Sequence, residues 1–379
     1  MKSSLVRILS MWAAAFVLNG MGQAGTLPPI RTVFLIVMEN LDWAEVQGNA
    51  SAPYLNGTLL PQAAFCTNYF NPLGLHPSEP NYIWLEAGTN FGIRDDNDPV
   101  FNHLNVTNHL VSLLQRAGIS WTAYLEDIDG ATVPLTATNG YVPRHNPFVF
   151  FDDVTGGNDA LDPYGIAHNR PYPELARNLD AGAVARYNFI GPNLCDDMHS
   201  PCPPDNDVLR QGDEWLQANI PRIMAAKAFQ DGGAIFITWD ESDTGDEAIG
   251  MVVLSNFAKR GYSSGHLYSH SSTLRTLQEI FGVTPWLNDA ANAEDLSDLF
   301  LQPDDPPSMW ISAPILEGNG FRFGVYGVAA GRTNWVEQST NLNAWSAVAT
   351  NVSAAGWFAF TNTAGAGAAP SFYRVRQAP

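Results

Sequence analysis

Two pairs of polar residues directly follow strongly apolar runs that lie far apart in the chain. Glu39 and Asn40 follow VFLIVM, and Asp240 and Glu241 follow AIFITW. Unbroken, β-branched-rich runs of this length are typical of strands buried on both faces of a sheet. One such pair could simply cap a loop. Two pairs carried to the same sheet edge supply several carboxylate and amide oxygens, which predicts a site for a hard metal ion.

Ser78 is the candidate nucleophile. It lies in HPSEPNY, just before a stretch with helical character that runs from Asn81 and ends at Gly88. The N-terminus of a helix offers free N–H groups and the positive end of the helix dipole, so it favours an anion. The alternative is an N-cap serine without chemistry. A hydroxyl beside a metal site suits phosphoryl transfer, because a cation lowers the hydroxyl pKa and holds a phosphate oxygen.

Asp197, His199 and His270 complete the candidate set. The first two lie in GPNLCDDMHS, after the predicted strand YNFI, and His270 stands near the start of a predicted helix in SHSSTLRTLQEIFGV. An imidazole could protonate the leaving group. The other histidines are expected to be surface or capping residues; they are His76, His103, His109, His145, His168 and His266. Of these, His266 shares the loop GHLYSH with His270.

The elements that must position these residues alternate between strand and helix at α/β spacing. We therefore expect an α/β fold with a mostly parallel sheet between helices. Besides the two polar-ended strands, the predicted helices cover residues 53–60, 109–117 and 214–228, and the predicted strands cover 66–70, 121–125, 187–190 and 251–254.

The composition changes after residue 303. The prolines and acids of residues 304–308 predict a linker. Residues 309–379 contain short alternating runs such as FRFGV, WVEQST and FYRVR, which predict a small all-β sandwich without a chemical constellation. The expected organisation is a phosphoryl-transfer domain over residues 26–303, a linker and a C-terminal β-sandwich domain.

Residues 1–25 have a basic start, an apolar middle and a small-residue exit, which is the pattern of a secretory signal peptide. The apolar run is shorter than a membrane anchor needs, and no later segment is a candidate span. We expect a secreted, periplasmic or cell-surface protein. Loss of Lys2 and Arg7 with this segment would change the net charge from −19 to −21. So acidic a surface argues against nucleic acid as a partner.

Three cysteines are present. Cys195 and Cys202 close the short loop CDDMHSPC, a spacing that suits a disulfide in an exported protein. Cys66 is left over, and we expect it to be a buried apolar residue rather than a nucleophile.

Five motifs in order, VFLIVMEN, HPSEPNY, PNLCDDMH, ITWDE and YSHSSTLRTLQEIFG, carry a family resemblance over residues 31–290. They resemble the bacterial and fungal phosphoesterase family that holds acid phosphatases and non-haemolytic, phosphatidylcholine-cleaving phospholipases C. That family resembles alkaline phosphatase in fold. The resemblance implies a divalent metal ion and a phosphoseryl intermediate that water hydrolyses. Calcium, magnesium or manganese suit the all-oxygen ligands, and iron is also allowed.

The resemblance also implies a role for each candidate. Ser78 would be the nucleophile and a further metal ligand, His199 the acid/base oriented by Asp197, and His270 a residue lining the phosphate site. The implied metal ligands are Glu39, Asn40, Asp240 and Glu241.

The form HPSEPNY and the short chain resemble the acid phosphatase branch, so a phosphomonoesterase acting on a small phosphorylated substrate is the leading interpretation. Two alternatives stay open: a phospholipase C that recognises a phospholipid head group, and a catalytically silent binding protein on the same fold. The C-terminal residues resemble a small β-domain of verrucomicrobial and planctomycete exported proteins, and cell-surface or glycan contact through it is open.

Overall fold

The run VFLIVM lies at the centre of one large sheet in the computed structural model of the chain, which describes residues 26–302, 309–312, 314–317, 320–354, 356–362 and 371–378. The predicted signal peptide and linker lie outside the described residues. The strands of this first part are β1 (Thr32–Met38), β2 (Ala64–Cys66), β3 (Tyr69–Phe70), β4 (Trp121–Leu125), β5 (Asn169–Pro171), β6 (Tyr187–Gly191), β7 (Gly233–Trp239), β8 (Met251–Ser255), β9 (Tyr262–Ser264) and β10 (Tyr268–Ser269).

Eight of these strands form the sheet in the order β5-β4-β6-β1-β7-β8-β2-β9, and β3 pairs with β10 separately. Within the eight, only β8 runs antiparallel to its neighbours. The expected α/β fold with a mostly parallel sheet is therefore confirmed. The central strand β7 is buried along its whole length and β1 from Val33 onwards, as their apolar sequences predict.

Helices flank the sheet. They are α1 (Trp43–Val46), α2 (Ser78–Ala87), α3 (Pro99–Asn102), α4 (Leu110–Arg116), α5 (Asp152–Thr155), α6 (Pro163–His168), α7 (Pro173–Ala181), α8 (Val208–Ala225), α9 (Lys227–Gln230) and α10 (His270–Phe281). Short 3₁₀ helices cover Pro143–His145, Pro147–Phe150, Asn288–Ala291 and Ser297–Leu299, and a π-helix covers Leu55–Leu59.

Three predicted elements differ from the structure. The helix expected at 214–228 begins earlier, because the Asp207 side chain accepts a hydrogen bond from Arg210 N and caps α8, and it ends at Ala225 before the separate α9. The strand expected at 66–70 is two short strands, β2 and β3. The helix expected at 53–60 contains a π-helical turn.

A buried ion cluster holds the C-terminal half of α2. Glu86 of α2 lies 3.0 Å from His109 Nδ1, and Asp153 Oδ1 lies 2.9 Å from His109 Nε2. The His109 ring is fully buried and stacks on Phe151. Burial lowers the pKa of His109, but hydrogen bonds and attraction from Asp153 and Glu86 outweigh it and raise this pKa above 6.5. When His109 is protonated, it bridges two carboxylates and fixes the helix that begins at Ser78.

This cluster predicts a loss of stability on the alkaline side. Because the folded-state pKa of His109 is raised, its contribution is complete below pH 6.5 and disappears as the pH rises through that folded-state pKa. His109→Gln should cost about 3 kcal/mol at pH 6, since the buried Glu86 and the partly buried Asp153 lose their cation, and should flatten this part of the pH profile. Urea unfolding from pH 5 to 9 measures the free energy of unfolding at pH 6 and its dependence on pH. An unchanged alkaline slope in the variant would contradict the assignment.

The C-terminal residues form two antiparallel sheets, which confirms the expected small all-β part. Their strands are β11 (Trp310–Ile311), β12 (Ile315–Glu317), β13 (Gly320–Tyr326), β14 (Thr333–Ser339), β15 (Ser346–Val352), β16 (Trp357–Asn362) and β17 (Phe372–Gln377). In the first sheet, β13 pairs with β11, β12 and β16; in the second, β14 lies between β15 and β17. A core of its own contains Phe323, Val325 and Val336.

This all-β part docks on the large sheet through β13. Tyr326 is buried, its hydroxyl donates to Gln230 O at 3.0 Å, and its ring stacks on Trp357. Arg322 pairs with Asp231. Gln230 and Asp231 come just before β7, whereas Asp240 comes just after it, so the contact lies at the end of β7 opposite the candidate site. The seven-residue strand separates them by roughly 23 Å.

Two further expectations have clear outcomes. Cys195 and Cys202 form a disulfide, and Cys66 is a buried free thiol, as predicted. Within the part of the chain that the structure describes, no helix combines the length and the apolar character needed to cross a membrane.

Candidate active site

Strand register brings the two polar pairs together. β1 and β7 are parallel neighbours with Met38 opposite Trp239, so Glu39 and Asp240 leave the sheet side by side. Asp240 N donates to Met38 O at 2.9 Å, which extends the ladder by one residue. On the other side of β1, Glu39 N donates to Asp197 O at 2.7 Å. Three carboxylates from three segments therefore meet at the carboxyl edge of the sheet.

Ser78 lies against this carboxylate group. It is the first residue of α2, it is 3% exposed, and its Oγ donates to Glu39 Oε2 at 3.1 Å. The other Glu39 oxygen accepts from the Tyr82 hydroxyl at 2.5 Å, one turn further along α2. Both contacts come from one face of the helix, which orients Glu39 and places the serine hydroxyl within the site.

The Asn40 side chain lies between two carboxylates. One terminal atom of its amide is 3.1 Å from Glu39 Oε2 and 3.0 Å from Asp240 Oδ1. If that atom is nitrogen, the Asn40 amide donates a hydrogen bond to both carboxylates. If it is oxygen, three oxygen atoms converge with no hydrogen between them, and a bound cation would compensate their negative charge. The Asn40 N–H also donates to Asp240 Oδ1 at 3.2 Å.

Burial disfavours charge on these carboxylates. It raises the pKa of Glu39 and of Asp240 well above their ordinary values, and repulsion from Asp240 acts on Glu39 and from Glu241 on Asp240. Burial, followed by repulsion from Asp96, raises the pKa of Glu241 to about 8. A bound cation would allow the group to ionise together, because it supplies the opposite charge that the protein side chains do not.

His145, which we expected to be a surface or capping residue, is buried in the site. Its Nδ1 lies 3.0 Å from Asp197 Oδ2, and its ring stacks on Tyr82 with centroids 5.3 Å apart. Its Nε2 lies 3.2 Å from Glu39 Oε1, but the atoms are not aligned for a hydrogen bond and this nitrogen has no partner. Burial, followed by repulsion from Arg144, lowers the pKa of His145 well below 6.5.

This arrangement corrects the role predicted for Asp197. Its carboxylate contacts the ring of His145, whereas it reaches only the backbone of His199, whose N–H donates to Asp197 Oδ1 at 2.8 Å. The His199 ring contacts Ser200 Oγ through Nδ1 and lies 3.5 Å from Arg144 through Nε2. Burial, followed by repulsion from His145, lowers the pKa of His199. Asp197 therefore orients His145 and not His199.

Glu241 and His270 are engaged with neighbouring groups. Glu241 Oε2 lies 2.7 Å from His76 Nδ1 and accepts from Asn81 at 3.0 Å. His270 was predicted to line the phosphate site, but it is fully buried; its Nε2 contacts Asp240 O at 2.6 Å and its Nδ1 contacts the Tyr69 hydroxyl. His270 therefore supports the backbone of Asp240 from behind.

Two non-glycine residues at the site adopt left-handed backbone conformations. Asn40 has a φ of 37° and Met198 a φ of 81°. Asparagine tolerates this region, but methionine does so at a cost of about 1–3 kcal/mol. The Trp239 indole N–H donates to the Met198 sulfur at 3.4 Å, which holds the strained turn between Asp197 and His199.

The residues present fit a bound cation. Asp240 Oδ2 is buried and has no hydrogen-bond partner in the protein, which is costly for a polar atom unless an ion or water meets it. Glu39, His145 and Asp197 also place one ligand atom each within 4.8 Å of one another. The carboxylate and amide oxygens suit a hard divalent ion, and the imidazole allows a transition metal as well.

A family model described as the phosphoesterase family matches residues 52–284, which is more than half of the chain. The chain belongs to the phosphoesterase family. The matched residues contain Ser78, His145, Asp197 and Asp240. This phosphoesterase is accordingly a phosphoric ester hydrolase.

Curated relatives of the phosphoesterase carry phosphatase names. A phosphatidylinositol-3-phosphatase of Mycobacterium tuberculosis is 28% identical, and the match covers 77% of this chain and 90% of that protein. A phosphate-repressible acid phosphatase of Penicillium chrysogenum is 31% identical over 55% of this chain and 47% of that protein. An acid phosphatase of Aspergillus fumigatus is 25% identical, and the match covers 66% of this chain and 54% of that protein. The chain thus spans about half the length of the fungal relatives.

Solved structures with a similar fold include a protein of the alkaline phosphatase superfamily from Vibrio parahaemolyticus. It is 10% identical, the match covers 86% of this phosphoesterase and 84% of that chain, and the TM-score is 0.49. The phosphonate monoester hydrolase of Agrobacterium radiobacter is 12% identical over 88% and 89%, with a TM-score of 0.47.

The structure thus adds residues that sequence reasoning missed. His145, Arg144 and His76 join the site, and Tyr82 orients Glu39. The available signal for His145 was its position in GYVPRHNPFVFFDD, a loop with prolines on both sides and many aromatic residues. Such a loop is expected to be ordered, and a polar residue in an ordered apolar loop needs a buried partner.

Proposed function

We propose that this phosphoesterase is a metal-dependent phosphatase that transfers the phosphoryl group of a monoester to Ser78 and then to water. One observation carries the proposal: the Ser78 hydroxyl, at the first residue of a helix, donates to Glu39 inside a buried group of carboxylates of which Asp240 keeps one oxygen unpartnered. Buried carboxylates whose charge the protein does not compensate are costly, and a serine with only a structural role would not explain why they are there.

The proposed cation ligands are Glu39, Asn40, Asp240 and Ser78, with Glu241 beside them through its second carboxylate oxygen. Calcium, magnesium, manganese and iron are all compatible with these donors. When bound, the ion would lower the pKa of the serine hydroxyl and neutralise charge on the phosphate.

The side chains supply positioning and proton transfer. Ser78 Oγ forms the bond to phosphorus, and its nearest proton acceptor is Glu39 Oε2 at 3.1 Å. The bond from phosphorus to the ester oxygen breaks, and His199 protonates that oxygen. Water then gives a proton to the same imidazole and attacks phosphorus, the bond from phosphorus to Ser78 breaks, and Ser78 takes back the proton that Glu39 had accepted.

His145 and Arg144 hold the phosphoryl oxygens in this proposal. Asp197 fixes the ring of His145 through Nδ1, so the imidazole is rigid before substrate binds. Burial raises the pKa of Asp197 to about 7; when Asp197 is protonated, its O–H donates to Nδ1, and the unpartnered Nε2 carries the N–H that a phosphoryl oxygen accepts. Arg144 is half-buried between His199 and Asp96, with its guanidinium 3.5 Å from the first and 3.6 Å from the second. It provides a permanent positive charge for phosphate.

A monoester is the proposed substrate because the curated relatives described above are named as phosphatases. The panel that tests this contains p-nitrophenyl phosphate, bis-p-nitrophenyl phosphate and p-nitrophenylphosphorylcholine, each with and without chelator. Chelator-sensitive turnover of the monoester supports the proposal. A preference for phosphorylcholine would favour a phospholipase C, and no turnover of any substrate with metal present would favour a silent binding protein.

The two histidines should respond differently to the leaving group. His199→Ala should slow an alkyl phosphate such as β-glycerophosphate by about 10²-fold or more, yet barely affect 2,4-dinitrophenyl phosphate, whose leaving group needs no proton. His145→Ala should slow both substrates similarly, because it removes a contact to the phosphoryl group itself. Steady-state kcat/KM for the two esters measures this. Equal losses for both esters in His199→Ala would contradict its role as acid.

We also propose that the chain is exported after removal of residues 1–25 and that residues 309–379 form a domain separate from catalysis. The N-terminal pattern and the Cys195–Cys202 disulfide support export. The contact of the all-β part at the far end of β7 supports its separation from the site.

A further inference from the structure

An open groove of about 780 Å³ adjoins the candidate site on the side of Glu241. Asn71 lines it and lies 3.5 Å from Asn81, which donates to Glu241. Asp246 also lines it, and its Oδ1 is 3.9 Å from Nε2 of His76, whose Nδ1 contacts Glu241. Two short chains of contacts therefore connect the groove to a carboxylate of the site.

The groove has an apolar lining that is open to solvent. Leu73 is 87% exposed and Leu267 is 70% exposed, and both line the groove together with Phe70 and Tyr268. Large apolar side chains that remain in water beside a concave surface are typical of ligand-binding grooves.

The charge of the groove has one dominant sign. Its lining contains the carboxylates of Asp246, Asp289 and Glu294, no lysine or arginine, and one imidazole, that of His266. Ser271 Oγ donates to Asp289 at 2.7 Å, which fixes that carboxylate in the wall. Such a lining attracts a cation and repels an anion.

We propose that the groove binds the alcohol part of the substrate and selects an apolar alcohol that carries an amine. This inference rests on the proposed function, because the phosphoryl group must lie at Ser78 for the alcohol to extend past His76 into the groove. The apolar body would cover Leu73 and Leu267, and the ammonium would meet the carboxylates. A leaving group with its own carboxylate or a second phosphate would be repelled.

Three aryl phosphates of nearly equal reactivity test the selection: O-phosphotyramine, 4-ethylphenyl phosphate and the phosphate of 3-(4-hydroxyphenyl)propionate. Their tails are cationic, neutral and anionic, respectively. The expected order of kcat/KM is amine, then ethyl, then carboxylate, with about tenfold between the extremes. The differences in kcat/KM among the three esters should become smaller as ionic strength rises, because salt screens charges in a groove that is open to solvent.

Glu294→Gln should reduce the amine-to-carboxylate ratio about threefold while leaving the ethyl compound unchanged. Glu214→Gln, on an exposed position of α8 outside the groove lining, is the matched control and should leave the ratio unchanged. Leu267→Ser should weaken binding of all three esters equally. Similar kcat/KM for the three esters in the wild type would overturn the groove inference alone, whereas no turnover of these esters or of p-nitrophenyl phosphate would overturn the proposed function.

Discussion

Ser78→Ala is expected to lower kcat for p-nitrophenyl phosphate by about 10³-fold or more, because it removes the atom that forms the bond to phosphorus. The fold should survive, since a residue at a helix start contributes at most about 2 kcal/mol as a cap. Metal content should fall only partly, because Glu39, Asn40 and Asp240 remain. Single-turnover kinetics, circular dichroism and metal analysis of the same preparation measure the three quantities.

Ser112→Ala is the matched control for this experiment. Ser112 is also a buried serine on a helix whose hydroxyl donates to a carboxylate, that of Asp153 at 2.6 Å, but it belongs to the His109 cluster and not to the site. It should lose stability while keeping kcat. Near wild-type turnover by Ser78→Ala would exclude a covalent phosphoseryl mechanism.

Asp240→Asn is expected to change stability in opposite directions with and without metal. In chelator, the variant should be more stable than the wild type by about 1–3 kcal/mol, because it removes a buried carboxylate that has an unpartnered oxygen and repels its neighbours. With metal in excess, the wild type should be the more stable protein, since binding at 100 times Kd adds about 2.7 kcal/mol. Activity should fall by about 10²-fold or more, together with metal content.

Asp213→Asn separates this effect from the ordinary loss of a buried acid. Asp213 is also buried, but its carboxylate accepts the backbone N–H groups of Tyr54 and Leu55 at 2.9 and 2.7 Å. Its replacement should cost stability equally with and without metal. If Asp240→Asn behaved in the same way, or kept stoichiometric metal while losing activity, Asp240 would not be a metal ligand.

The parts of the site that could be predicted are those that depend on short, local sequence patterns. Glu39 and Asp240 each directly follow a strongly apolar strand. Two parallel neighbouring strands place the residues that follow them at the same edge of the sheet. Ser78 precedes a helical stretch, so its place at a helix start followed from the sequence as well. The fold class, the disulfide and the all-β C-terminal part followed from equally local patterns.

The histidines could not be assigned in this way, because their roles depend on tertiary contacts. His145 is the last residue of the 3₁₀ helix Pro143–His145, and only the folded chain brings it to Asp197 and Tyr82. His199 is only two residues after Asp197 in sequence, but the left-handed turn at Met198 directs its ring to Ser200. Sequence proximity thus suggested the wrong imidazole for the carboxylate.

The stereochemical course at phosphorus distinguishes transfer through Ser78 from direct attack by water on the substrate. A phosphorothioate monoester that is isotopically chiral at phosphorus would be hydrolysed by the wild-type enzyme in labelled water, and the configuration of the released thiophosphate determined. Transfer to Ser78 and then to water comprises two in-line displacements, so we expect retention of configuration. Inversion would mean that water attacks the substrate directly, and it would contradict the assignment of Ser78 as nucleophile.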